Sequence, residues 1–195
     1  MQIDTSIRSP NHSSRGNRPV SMIVLHSTVG SARSALAWLT NPAAQVSAHY
    51  LIDKGGRIYR LVPDELCAWH AGRAEWKGQT AINELSLGIE LENANNGRDP
   101  YPTAQLDALV ELSREKVSQY GIRPDMVVRH VDVALPRGRK SDPAGFPWAE
   151  YVRRVFDDLP PPAPWGPPPP RPTPAGRAAL AQALPSQAYH QAGAG

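Results

Sequence analysis

Ten of the 21 prolines in this chain fall between Pro160 and Pro174, in the run "PPPAPWGPPPPRPTP". Proline fixes φ and lacks the amide donor that helices and central strands require, so the run reads as an extended, polyproline-like spacer. Any core must therefore be assembled before it. Residues 1–159 are expected to form a single domain and residues 160–174 a linker. The Ala- and Gln-rich stretch 175–195 is expected to be a disordered tail, too short to enclose a core.

Bulk chemistry narrows the field further. Cys67 is the one cysteine, which excludes an internal disulfide, and within "ELCAW" it reads as a small buried residue. A net charge of +3 and a pI of about 9.2 suit an anionic partner without specifying one. There is no run of five Lys/Arg and no aromatic RNA-binding signature, so a nucleic-acid partner is not expected. The first residues, "MQIDTSIRSPNHSSRGNRPV", carry no apolar signal-peptide core, and no apolar run approaches the ~20 residues that span a bilayer. The expectation is synthesis in the cytoplasm, as a monomer with no transmembrane segment.

Periodicity places the elements. "SMIVLHS" (Ser21–Ser27) is a compact apolar strand ending in histidine, and "SARSALAWLTNP" a short helix capped by Ser31 and stopped by Pro42. "SAHYLIDKGGRIYRLV" is a hairpin turning at Lys54-Gly55-Gly56. "LSLGIELEN" (Leu85–Asn93) alternates, with Leu85, Leu87, Ile89 and Leu91 on one face and Ser86, Gly88, Glu90 and Glu92 on the other. An amphipathic helix is expected from Thr103 to Tyr120, stopped by Gly121. "DMVVRH" is a second short strand ending in histidine, and "WAEYVRRVFDDL" a closing helix. Strands interleaved with helices plus one hairpin give an α/β fold, a mixed central β-sheet flanked by helices.

Two strands thus end in His26 and His130. If they are neighbours, both imidazoles reach the sheet edge where α/β folds place ligands, and Asp142 arrives on the following loop. Two imidazoles and a carboxylate make a three-ligand zinc site with a fourth position open. The alternative, each histidine capping its own strand through backbone hydrogen bonds, is not separated from this by spacing alone. Glu90 and Glu92 supply candidate bases and Lys140 a candidate cation for an oxyanion. A carboxylate pair on a strand, and a lone lysine, are also ordinary features of a solvated surface.

The segments "IVLHST", "SAHYLID", "AWHAGRAEWKG", "LSLGIELEN" and "RHVDVALPRGRKSDPAGFPW", in this order from Ile23 to Trp148, resemble the zinc-dependent N-acetylmuramoyl-L-alanine amidase family (type 2 amidases). Its fold is shared with peptidoglycan recognition proteins. The resemblance implies a Zn2+ cofactor held by His26, His130 and Asp142. It implies Glu90 as the base that activates water, with Glu92 the alternative, and Lys140 as the charge beside the oxyanion. Tyr50, Trp69, His70 and Asn83 match positions near the substrate groove, while Asp132 is expected to orient the His130 segment rather than bind metal.

The implied reaction is hydrolysis of the amide between the lactyl group of N-acetylmuramic acid and L-alanine, in peptidoglycan or a muropeptide. The biological reading favoured on the sequence is cell-wall lysis of the endolysin kind, after holin-type release. The alternatives are a cytoplasmic amidase recycling anhydro-muropeptides, and a non-catalytic peptidoglycan-binding protein on the same fold. The Pro-rich stretch has no counterpart in that family's core.

Overall fold

In the computed structural model the described residues are 1–157, so the linker at 160–174 and the tail at 175–195 lie outside them. The described strands are β1 (Ile3–Asp4), β2 (His12–Ser14), β3 (Met22–Ser27), β4 (Tyr50–Ile52), β5 (Ile58–Arg60), β6 (Leu66–Ala68), β7 (Ser86–Leu91) and β8 (Val127–Arg129). The helices are α1 (Ala32–Leu39), α2 (Ile82–Leu85), α3 (Thr103–Tyr120), α4 (His130–Val133) and α5 (Trp148–Phe156).

The main sheet runs β1-β5-β4-β7-β3-β8, and β2 pairs with β6 in a small antiparallel ribbon. β4, β7, β3 and β8 are mutually parallel, while β4 and β5 form the antiparallel hairpin. A mixed sheet with flanking helices is the expected architecture. β3 lies between β7 and β8, and all six of its residues are buried, which is why "MIVLHS" reads as a continuous apolar run rather than an alternating one.

Register decides which side chains share a face. Leu25 sits beside Ile89, and His26 beside Glu90. On the other side of β7, Leu51 is beside Glu90 and Tyr50 beside Ile89. Cross-strand neighbours point to the same face, so His26, Glu90 and Leu51 share one side and Leu25, Ile89 and Tyr50 the other. The second side carries the larger core, where Leu25, Leu87 and Ile89 pack with Leu106, Leu109, Leu112 and Val117 of α3 and Tyr151 and Val155 of α5.

The α3 helix has its expected bounds, and Gly121 closes it at φ 63° with its N–H donating to the Val117 carbonyl. The left-handed turn needs a residue without a Cβ penalty. Burial of a leucine such as Leu109, fully inaccessible here, contributes about 1.5–3 kcal/mol, so this face anchors the sheet whose opposite face bears the polar groups.

Candidate functional site

His26 is the penultimate residue of β3, Glu90 the penultimate residue of β7, and His130 follows the last residue of β8 directly. Three parallel strands therefore deliver three polar side chains to their C-terminal edge. Rather than ending the strand, His130 opens α4, whose start is held by Asp132: its carboxylate accepts from the Arg129 N–H and from the Arg129 guanidinium. Asp132 is thus committed away from the site.

Asp142 is brought in by the loop after α4. Its backbone carbonyl accepts from Val131 N–H, and Asn95 clamps the segment by accepting from Ala144 N–H and from the Ser27 hydroxyl. Phe146 stacks edge-on against both Tyr101 and Tyr151, seating the loop against the core and α5.

The donor atoms of His26, His130 and Asp142 all lie within 4.8 Å of one another, and all three residues are buried. His130 Nδ1 is 3.0 Å from Asp142 Oδ2 and 3.0 Å from His26 Nδ1, and His26 Nδ1 is 3.5 Å from Asp142 Oδ2. His130 Nε2 faces the Ala71 carbonyl at 3.2 Å, which places a ring proton on Nε2 and, in the neutral imidazole, leaves Nδ1 bare. A bare imidazole nitrogen then faces a carboxylate oxygen, two acceptors with no proton between them. A cation resolves that conflict, so the donor set fits a metal ion.

The electrostatics keep the His26 ring neutral. Burial and the adjacent His130 push His26 down to about 4. Burial opposes ionisation of Asp142, but the two adjacent imidazoles, His130 and His26, hold its carboxyl well below the usual range. Glu90 moves the other way: burial, then the Asp142 charge, push it up to about 8 against the pull of Lys140. Its Oε2 is buried without a hydrogen-bond partner among the described residues.

These groups share a cavity of about 400 Å³, lined also by Trp69, His70 and Lys140. Val29 and Trp38 form part of its wall and are 68% and 58% exposed. Val29 holds φ at 56°, a left-handed conformation that strains a β-branched residue by about 1–3 kcal/mol and that concentrates at functional sites.

Against this geometry the comparisons with known proteins are specific. The family model described as N-acetylmuramoyl-L-alanine amidase matches residues 16–145. The chain belongs to that family. It is 38% identical over 150 residues to the N-acetylmuramoyl-L-alanine amidase AmiD of Escherichia coli (strain K12), covering 69% of this chain and 53% of AmiD. It is 39% identical over 113 residues to the 1,6-anhydro-N-acetylmuramyl-L-alanine amidase AmpD of Haemophilus influenzae, covering 57% of this chain and 59% of AmpD. A solved structure of E. coli AmiD with the substrate anhydro-N-acetylmuramic acid-L-Ala-D-gamma-Glu-L-Lys superposes with a TM-score of 0.65 at 36% identity, covering 73% of this chain and 60% of AmiD. The chain spans little more than half the length of these curated relatives.

Within this amidase-family chain, two residues expected at the groove are placed elsewhere. Tyr50 is fully buried on the α3 side of the sheet, because register sets Leu51, not Tyr50, beside Glu90. Its hydroxyl donates to Asp64 Oδ1 at 2.6 Å, in a buried group completed by Tyr120 and Lys116. Asn83 does not line the cavity; its Oδ1 accepts from the backbone N–H of His70 and of Ala71 and fixes that segment. Glu92, the alternative base, is also committed, accepting from Ala32 N–H and Lys54 N–H. Asn95 and Ser86 were not found by sequence reasoning, and nothing in their local pattern marks them.

Tyr50→Phe therefore discriminates a structural from a catalytic hydroxyl. The expected result is a loss of about 2 kcal/mol of stability from one hydrogen bond to a buried carboxylate. Thermal denaturation would report this as a fall of about 4–8 °C in Tm. Turnover per folded molecule is expected to be unchanged.

Proposed function

We propose that this chain is a zinc-dependent amidase that cleaves the bond between the lactyl carbonyl of N-acetylmuramic acid and the L-alanine nitrogen, acting on muropeptides released from the wall. The observation carrying this reading is the convergence of His26 Nδ1, His130 Nδ1 and Asp142 Oδ2 beside the unpartnered Glu90 Oε2 in one cavity with Lys140. Zinc held by His26, His130 and Asp142 supplies Lewis acidity, lowering the pKa of water and polarising the scissile carbonyl.

The chain's own groups complete the chemistry. Glu90 lines the cavity, and its Oε2 has no hydrogen-bond partner among the described residues, so the carboxylate is available to take the proton of the attacking water. As the carbon–nitrogen bond breaks, the same carboxyl returns that proton to the leaving amine. Lys140 also lines the cavity, and its charge offsets the negative charge that develops on the carbonyl oxygen.

A muropeptide rather than intact wall is favoured by the relatives: AmpD is named for a 1,6-anhydro substrate, and AmiD is solved with an anhydro-muramyl tripeptide. The deciding experiment gives purified protein two substrates, a small anhydro-muropeptide and intact sacculi, and follows released stem peptide by mass spectrometry with and without chelator. Chelator-sensitive release, faster from the small substrate, is expected. Faster release from sacculi would restore the lytic reading. No release from either after zinc reconstitution would leave a binding protein on this fold.

A further inference from the structure

The segment His70–Ala71 touches both histidines of the site from behind. Ala71 offers its carbonyl to His130 Nε2, and His70 offers Nδ1 to His26 Nε2 at 3.0 Å. The His70 ring continues outward, with Nε2 at 3.1 Å from Ser86 Oγ. The Ser86 hydroxyl in turn donates to the Ile82 carbonyl at 2.5 Å.

Such a chain has two self-consistent proton arrangements. In one, Ser86 donates to Ile82, so its oxygen accepts from His70 Nε2–H, His70 Nδ1 is bare and accepts from His26 Nε2–H, and His26 Nδ1 is left bare. In the other, every donor reverses, and His26 carries its proton on Nδ1, where it blocks the position shared with His130 and Asp142. The short contact to the Ile82 carbonyl, which can only accept, selects the first.

The seat for His70 is built as tightly as the relay. A Cβ placed on Gly88 would lie 2.4 Å from His70 Cγ, so the imidazole packs directly on the Gly88 backbone and no other residue leaves room for it. Asn83 holds the His70 and Ala71 amides, and Ser86 is fully buried.

We infer that His70 and Ser86 are positioning residues that lock His26 in the Nε2–H tautomer, presenting a bare Nδ1 for zinc. Histidine ligands are ordinarily oriented by a carboxylate or a carbonyl, and here a second imidazole anchored by a serine takes that place. The inference rests on the zinc reading proposed above, but its tests do not use hydrolysis.

The first test needs no substitution. Two-bond 1H–15N correlation spectra of the zinc-stripped protein report which ring nitrogen of His26 is protonated. Protonated Nε2 with bare Nδ1 is expected, and protonated Nδ1 would overturn the relay. The second measures zinc affinity by competition with a chromogenic chelator. Ser86→Ala removes the anchor and is expected to weaken zinc about 10–100-fold. In that background His70→Asp, whose carboxylate can only accept from His26 Nε2–H, is expected to restore the affinity.

An unchanged affinity in Ser86→Ala, or no recovery in a folded double variant, would overturn the proposal. Tight zinc binding and the expected tautomer without muropeptide hydrolysis would sink the proposed activity while leaving the relay standing.

Discussion

Glu90→Gln is expected to keep the fold and one equivalent of zinc while lowering turnover about 10²–10⁴-fold, the range removed with a general base. The change is isosteric, and Oε2 has no hydrogen bond to lose among the described residues. What disappears is the ability to hold and return a proton. Glu92→Gln provides the contrast: it weakens contacts to Ala32 and Lys54 and is expected to cost stability, with turnover per folded molecule retained. If Glu92→Gln abolished turnover and Glu90→Gln did not, the assignment of the base would be wrong.

The raised pKa of Glu90 adds a proton inventory to that prediction. With its pKa pushed from 4.5 to about 8, Glu90 in the zinc-stripped protein holds its proton at pH 7. A dication beside it reverses the balance, so zinc loading at pH 7 is expected to release about one proton. Calorimetric titration in two buffers of different ionisation enthalpy reads this directly, and Glu90→Gln should abolish the release. The sign for stability follows from the same shift. Between pH 4.5 and about 8 the folded state binds more protons than the unfolded one, so this group's contribution is full below 4.5 and lost as pH rises through 8. The zinc-stripped Glu90→Gln variant is expected to show a flatter stability curve across that window.

How much of this was legible in the sequence depends on whether the information was local. The α3 helix and its Gly121 stop were readable because a 3.6-residue pattern and a left-handed cap are properties of the segment itself. The β3 and β8 strands were readable as apolar runs ending near a histidine, and parallel pairing makes them neighbours. Tyr50 was not readable, since β4 is buried on both faces and an all-apolar strand carries no alternation to say which way a tyrosine points. Glu90 and Glu92 have the same periodicity; only the ends of α1 and the β4–β5 turn, remote in sequence, claim Glu92. The short strands β1, β2 and β6 are two or three residues long and lack any periodic signal. Asn95 and Ser86 act through partners that only the fold brings close.

His130→Ala is expected to abolish zinc retention and bring turnover down to background, a larger effect than any other single change considered. Two donors cannot replace three, and the affinity lost with a direct ligand should exceed the ~10–100-fold cost of removing a supporting hydrogen bond. Stability separates this loss from simple unfolding. A ligand that binds only the folded state stabilises it by about 2.7 kcal/mol at one hundred times its Kd, so zinc should raise the Tm of the stripped wild type. The same addition should leave His130→Ala unmoved, although both chains melt cooperatively. Asp142→Asn sharpens the point, because it keeps the volume of the carboxylate but removes the charge that His26 and His130 hold ionised. Its amide oxygen is a poorer donor to a dication, so an intermediate zinc affinity is expected. A His130→Ala chain that kept one equivalent of zinc and near-normal turnover would show that the metal is held by other residues, and with that the roles of Glu90 and Lys140 would need reassignment as well.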